Sequence, residues 1–192
     1  MNRASATVLT FRPNQLNSSI PIDLWDLDHG KYYLWGMSGN MPTQETIVSA
    51  SLFIDNINDW AVEPDDRLYI HLLDNPSPGV RVRSDSEGGG DNFLNQGILL
   101  TTYTDHNETG PQQRNNPPED WRYVFTAAQL DIFKDYAGNG IWGLGLDPDC
   151  HYYNDGITFT VETAPVPTPL PSNWLLFLAG LVGLAGTRRK LW

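Results

Sequence analysis

This chain of 192 residues has a single cysteine, Cys150, so no intrachain disulfide can staple it. Its fold must come from burial, which a domain of this length can supply. Cations are also scarce: 12 Lys and Arg stand against 23 Asp and Glu, for a net charge of −11. That balance argues against nucleic acid and anionic membrane surfaces as partners. It is compatible with divalent cations and with neutral polymers such as polysaccharide. Glutamate is sparse, with Glu45, Glu63, Glu87, Glu108, Glu119 and Glu162 mostly in loops or at strand ends. Catalytic signals are correspondingly poor. Gly36-Met37-Ser38-Gly39 only approaches a nucleophile elbow, and nothing marks a facing carboxylate pair of the glycosidase kind.

The N-terminus lacks the basic region and apolar run of a signal peptide: it reads MNRASATVLTFRPNQ. Long apolar runs are otherwise absent except at the other end. There VPTPLPSN leads into WLLFLAGLVGLAG, followed by Thr187, Arg188, Arg189 and Lys190, and no charge lies between Thr163 and Thr187. As a helix, Trp174 to Gly186 would reach only ~20 Å against a hydrocarbon core of ~30 Å, a marginal span. Flanking uncharged residues and snorkelling cations make up part of the deficit. The cationic stop places the C-terminus on the cytoplasmic side and the preceding domain outside. Pro165, Pro167, Pro169 and Pro171 favour an extended linker that holds the apolar helix off a globular core.

Proline motif, short apolar helix and basic end, in that order, resemble the PEP-CTERM sorting signal and its VPLPA-type variants. Val166, Pro167, Pro169, Leu170 and Pro171 match the motif, and Arg188, Arg189 and Lys190 match the basic stop. No Glu sits between the prolines, and Ser172 stands where the variant ends in Ala, which blurs the subtype. The resemblance implies a protein of a Gram-negative bacterium, held transiently in the inner membrane until an exosortase-type enzyme cleaves near the prolines. It then implies a place at the cell surface or in the exopolysaccharide matrix. Such a tail needs export, so the expected start of the protein lies upstream of Met1. The resemblance covers about the last seventh of the chain and speaks to destination rather than activity. The body is loosely similar to β-sandwich domains found ahead of such tails.

Between turn clusters, short alternating runs recur at 31–38, 47–54, 67–73, 79–83, 97–103, 121–125, 140–146 and 156–162. Their period of two and their aromatic and β-branched content predict an all-β fold, an antiparallel, jelly-roll-like β-sandwich. One short capping helix is expected after Thr126, with Gln129 completing a capping box and Gly138 as its glycine stop. The expected division is an irregular segment 1–22, the sandwich 23–162, a proline-rich linker 163–173, a transmembrane helix 174–187 and a basic end 188–192. Two long polar loops, 75–96 and 104–120, interrupt the strands.

The densest polar cluster is DPDCHYYNDG. Asp147, Asp149, Asn154 and Asp155 offer oxygen donors on one loop, which suits Ca²⁺. Asp26 and Asp28 precede the first core strand, and first and last strands of a jelly roll are neighbours, so the two groups are candidates for one ion. The competing reading is that these residues only make turns. Cys150 and His151 are adjacent and point apart on an extended chain, which disfavours a shared transition metal. Aromatic residues are plentiful, and sugar-binding modules use exposed rings; most rings in a sandwich instead fill its core. The pairs Tyr32/Tyr33 and Tyr152/Tyr153 must each split between faces. The body therefore reads as a binding or structural module, with a polysaccharide-acting enzyme as the alternative.

Overall fold

The computed structural model describes residues 6–13, 23–42, 44–59, 66–85, 89–105 and 117–167. Eleven strands and one helix follow in chain order: β1 (Thr7–Phe11), β2 (Asp26–Leu27), β3 (Lys31–Ser38), β4 (Glu45–Asp59), β5 (Leu68–Asp74), β6 (Gly79–Ser84), β7 (Ile98–Tyr103), β8 (Glu119–Val124), α1 (Ala127–Ala137), β9 (Ile141–Pro148), β10 (Tyr152–Tyr153) and β11 (Gly156–Pro165). They form two antiparallel sheets. One runs β1-β11-β4-β10-β2, with β8 on the other edge of β4; the second runs β6-β3-β9-β5-β7. All eight expected runs are strands. The period-two pattern shows in the core: Trp142, Leu144 and Leu146 of β9, Leu68, Ile70 and Leu72 of β5, and Tyr33, Trp35 and Met37 of β3 are all buried. They meet Leu52, Ile54, Ile157, Phe159 and Val161 of the first sheet in one hydrophobic cluster.

Residues 152–165 run along β4 as one interrupted strand, from Tyr152 opposite Asp59 to Pro165 opposite Glu45. Two expected boundaries are corrected here. The segment 1–22 is not irregular throughout, because Thr7–Phe11 pairs with β11, Phe11 opposite Phe159. The linker does not begin at 163, because β11 continues to Pro165 and the Val166 N–H donates to the Gln44 carbonyl at 2.8 Å. Glu45 explains both. Its carboxylate accepts from the Thr7 hydroxyl at 3.1 Å and from the buried Thr163 hydroxyl, fastening β1 and β11 to β4.

The helix forms as its capping box requires. The Gln129 N–H donates to the Thr126 hydroxyl, and the Thr126 N–H to the Gln129 side chain. Phe133 lies between the sheets, with its ring 5.7 Å from Trp142 and 5.6 Å from Phe159. Gly138 caps the C-terminus as expected, its N–H donating to the Asp135 carbonyl at 3.2 Å, but its φ is −61° and the positive φ falls at Gly140, at +80°. The helix therefore ends in a turn that continues to Gly140 before β9 starts.

The expected 75–96 loop is divided by β6, and residues on both sides of that strand, Pro76 and Ser77 before it and Phe93 after it, lie on the outer face of the second sheet. Phe93 is fully buried, stacked edge-on to Tyr32 and 5.6 Å from the His71 ring. It fits because β9 presents glycine there; a Cβ on Gly145 would come within 2.8 Å of the Phe93 ring. Asp91 accepts from the Phe93 N–H and pairs with His71 at 2.9 Å, fixing the plug. Among the described residues no helix is long and apolar enough to cross a membrane. The expected span, with Pro169, Leu170, Pro171, Arg188, Arg189 and Lys190, lies outside the described residues.

The plug generates a coupling test. Phe93→Ala should destabilise the fold by about 3–5 kcal/mol, and Gly145→Ala by about 1–3 kcal/mol through overpacking. Chemical denaturation of the single and double variants should give a strongly non-additive cycle, with Gly145→Ala costing far less once Phe93 is gone. Additive costs would mean that the ring does not rest on Gly145.

Candidate functional site

The cluster expected to gather one Ca²⁺ faces several different ways. Asp147 leaves β9 on the side of the second sheet that Phe93 plugs, fully buried, and accepts from the Asn92 N–H at 2.5 Å. Asn154 turns to backbone: its amide donates to the Leu24 carbonyl at 2.8 Å and its oxygen accepts from the Gly156 N–H at 3.0 Å. Asp155 is exposed and accepts from the Asn56 side chain at 2.7 Å. The Asp149 N–H is anchored on the Arg67 carbonyl at 2.7 Å. The arrangement is therefore not a single calcium loop, since Asn154 spends both polar atoms on the backbone and Asp155 reaches toward β4.

The first acidic pair lies beside this segment, but its neighbour there is His151 and not the expected oxygen donors. Asp26 lies opposite Tyr153 in the β2–β10 ladder, and its carboxylate meets His151. Asp28 holds the neighbouring turn, accepting from the Gly30 N–H and pairing with Lys31 at 3.0 Å. Those two contacts, the backbone one first, keep its carboxyl below the ordinary range. Asp28, His29 and His151 bring ligand atoms within 4.8 Å of one another on a largely open surface. Tyr152 is buried and Tyr153 exposed, as alternation in a strand demands.

The site that sequence reasoning missed lies where, among the described residues, the first sheet's outer ladder is interrupted, between Phe11 opposite Phe159 and Asp26 opposite Tyr153. A cleft of about 440 Å³ opens there, lined by Arg12, Asp23, Trp25, Phe53, Asp55, Arg122, Asp155 and Thr158 among others. Trp25 is 54% exposed, although it is large and apolar. Its presentation is built in: Leu24, buried beneath it, takes a left-handed φ of +58°, costly for a branched side chain. Asn154 holds that backbone from both sides, through the Leu24 and Trp25 carbonyls. Arg122 sits 4.9 Å over the Phe53 ring. The aromatic content was visible in the sequence, but only the break in the ladder tells Trp25 from the core rings.

Asp55 and Asp155 of the cleft lining gather with Asp120, which lies just outside it. Asp55 is half-buried, and partial desolvation, then the neighbouring Asp120 and Asp155, raise its pKa. Asn56 bridges the group, its N–H to Asp120 at 3.3 Å and its amide to Asp155. The Asp155 N–H also donates to the Asp55 carbonyl at 2.8 Å, so these two residues sit side by side rather than across the cleft.

Asp147 gives a pH test. Burial, against the Asn92 hydrogen bonds, pushes its pKa up to about 6, with Asp85 and Asp149 adding to the rise. A raised carboxyl pKa means the folded state holds its proton longer than the unfolded chain does. This group's contribution to stability is thus greatest near pH 4 and declines as pH rises toward and past 6, by on the order of 2 kcal/mol. Asp147→Asn should flatten that decline in denaturation midpoints measured from pH 4 to 7; an unchanged slope would contradict it. No protein-family model and no curated protein matches this chain, so the reading of its sites rests on their own geometry.

Proposed function

We propose that this chain is an exported bacterial surface or extracellular-matrix protein whose β-sandwich binds polysaccharide through the Trp25 cleft. The observation that carries the binding reading is an exposed indole held out by strained backbone beside guanidinium, carboxylate and hydroxyl groups. Pyranose C–H faces pack on such rings, while Arg12, Arg122, Asp23 and Thr158 supply the hydrogen bonds that orient hydroxyls. The strand order, with first and last strands adjacent, supports a jelly roll, an architecture shared by many lectin domains. The tail supports a transient inner-membrane helix and processing by an exosortase-type enzyme near Val166 to Pro171. Both rest on the sequence pattern alone.

A polysaccharide-acting enzyme in the same location is the second reading, favoured by the raised pKa of Asp55 beside Asp120. Its weakness is geometric. Hydrolysis needs carboxylates on opposite sides of the scissile bond, and Asp55 and Asp155 adjoin. Release of reducing ends that Asp55→Asn abolishes would establish the enzyme.

Against a panel of bacterial exopolysaccharides, the native protein should bind at least one by calorimetry. Trp25→Ala should weaken that binding by about 2 kcal/mol, roughly thirtyfold in Kd, with the fold intact. Binding that is indifferent to Trp25 would remove the cleft from the account. Mass spectrometry of surface-exposed protein from an exosortase-bearing host should lack Trp174–Trp192. An intact C-terminus there would contradict the sorting reading.

A further inference from the structure

A second polar assembly lies inside the fold, at the C-terminal end of β4, away from the Trp25 cleft. Asp59, Asp66 and Cys150 are 0%, 3% and 3% exposed, and their carboxylate oxygens and thiol sulfur lie within 4.8 Å of one another. Asp105, 4% exposed, joins them by accepting from the Asp59 N–H at 3.2 Å. The topology makes this meeting: Asp59 ends β4, Asp66 precedes β5, Asp105 follows β7, and Cys150 sits between β9 and β10.

Tyr152 points to what the assembly is for. It lies opposite Asp59 in the β10–β4 ladder and is 0% exposed, yet its hydroxyl has no hydrogen-bond partner. Directly opposite residues of an antiparallel ladder share a face, so Tyr152 and Asp59 both turn to the buried side where the assembly lies. An orphaned buried hydroxyl is costly unless something there accepts it. Carboxylates and a thiol brought together out of water repel once ionised, and a cation relieves that repulsion.

The geometry points to a buried Zn²⁺ site held by Asp59, Asp66 and Cys150, with the Tyr152 hydroxyl at the remaining position. The thiolate decides the metal class. Ca²⁺ and Mg²⁺ take oxygen ligands, whereas a sulfur donor with carboxylates suits a borderline ion in a tetrahedral setting. Zn²⁺ would draw the three ligand atoms to about 3.5 Å apart, a contraction that side-chain rotation can supply. Binding would release the thiol proton, so affinity should rise with pH. With ligands this deeply buried, the site is structural: it ties the end of β4 to the segments before β5 and β10.

The test uses the full-length chain, stripped with chelator and titrated with Co²⁺ as a spectroscopic stand-in for Zn²⁺. The expected result is one equivalent bound, with thiolate-to-metal charge-transfer absorption in the near ultraviolet and the strong visible bands of four-coordination. Zn²⁺ should displace it and raise the melting temperature. Asp66→Asn should weaken binding tenfold or more, and His151→Ala should leave the charge-transfer band intact, which separates this site from the surface group Asp28, His29 and His151. Near-ultraviolet circular dichroism reports folding of the variants; if a buried variant does not fold, the spectrum of the native protein decides alone. Absence of the charge-transfer band at saturating Co²⁺ in folded native protein would overturn the proposal. So would Co²⁺ binding that His151→Ala abolishes and Asp66→Asn spares.

Discussion

The long ladder between β4 and the 152–165 strand is the constraint on which the rest depends. Its register sets Leu52 opposite Phe159, Ile54 opposite Ile157 and Ala50 opposite Val161, all buried. A slip by one residue would turn each of these side chains to the outer face and bring polar ones into the core. β8 then adds to the free edge of β4, while β1 and β2 add to the outer edge of the interrupted strand. The second sheet closes over this frame, and Phe133 fills one end between Trp142 and Phe159.

Both functional candidates arise where that ladder is imperfect. At Asn154 and Asp155 the strand leaves pairing, and Asn154 uses its freed geometry to hold Leu24 and Trp25. That interruption separates β1 from β2 and opens the cleft. Just before it, Cys150 turns inward to Asp59 and Asp66 while His151 turns toward Asp26. Adjacent residues that point apart thus serve two different sites. The same short run holds the strand end, the cleft wall and the buried polar group, which explains its unusual polar density.

The strands were legible because their alternation is local: Trp142, Leu144 and Leu146 announce a buried face without reference to any partner. The helix start was legible for the same reason, since Thr126 and Gln129 are three residues apart. β1 was not, because Val8, Leu9 and Phe11 make a short run whose strand identity comes from Phe159 and Thr163, distant in sequence. β2 and β10 are two residues each, below any periodic signal. The acidic run from Asp147 to Asp155 reads as one ligand set only while side-chain direction is unknown. Its members alternate between faces and cross the strand interruption. Phe93 and Gly145 show a further limit, as nothing local pairs a loop phenylalanine with a strand glycine.

Hydrogen exchange resolved to single amides tests the central ladder most directly. If the β4 pairing organises the molecule, the amides of Ser51, Phe53, Thr158 and Thr160, which face each other across it, should exchange last, through global unfolding. Amides of β6, an edge strand, should exchange earlier. Equal or faster exchange at the β4 and β11 positions than in β6 would contradict the account, because the frame holding both sites would then open before its periphery.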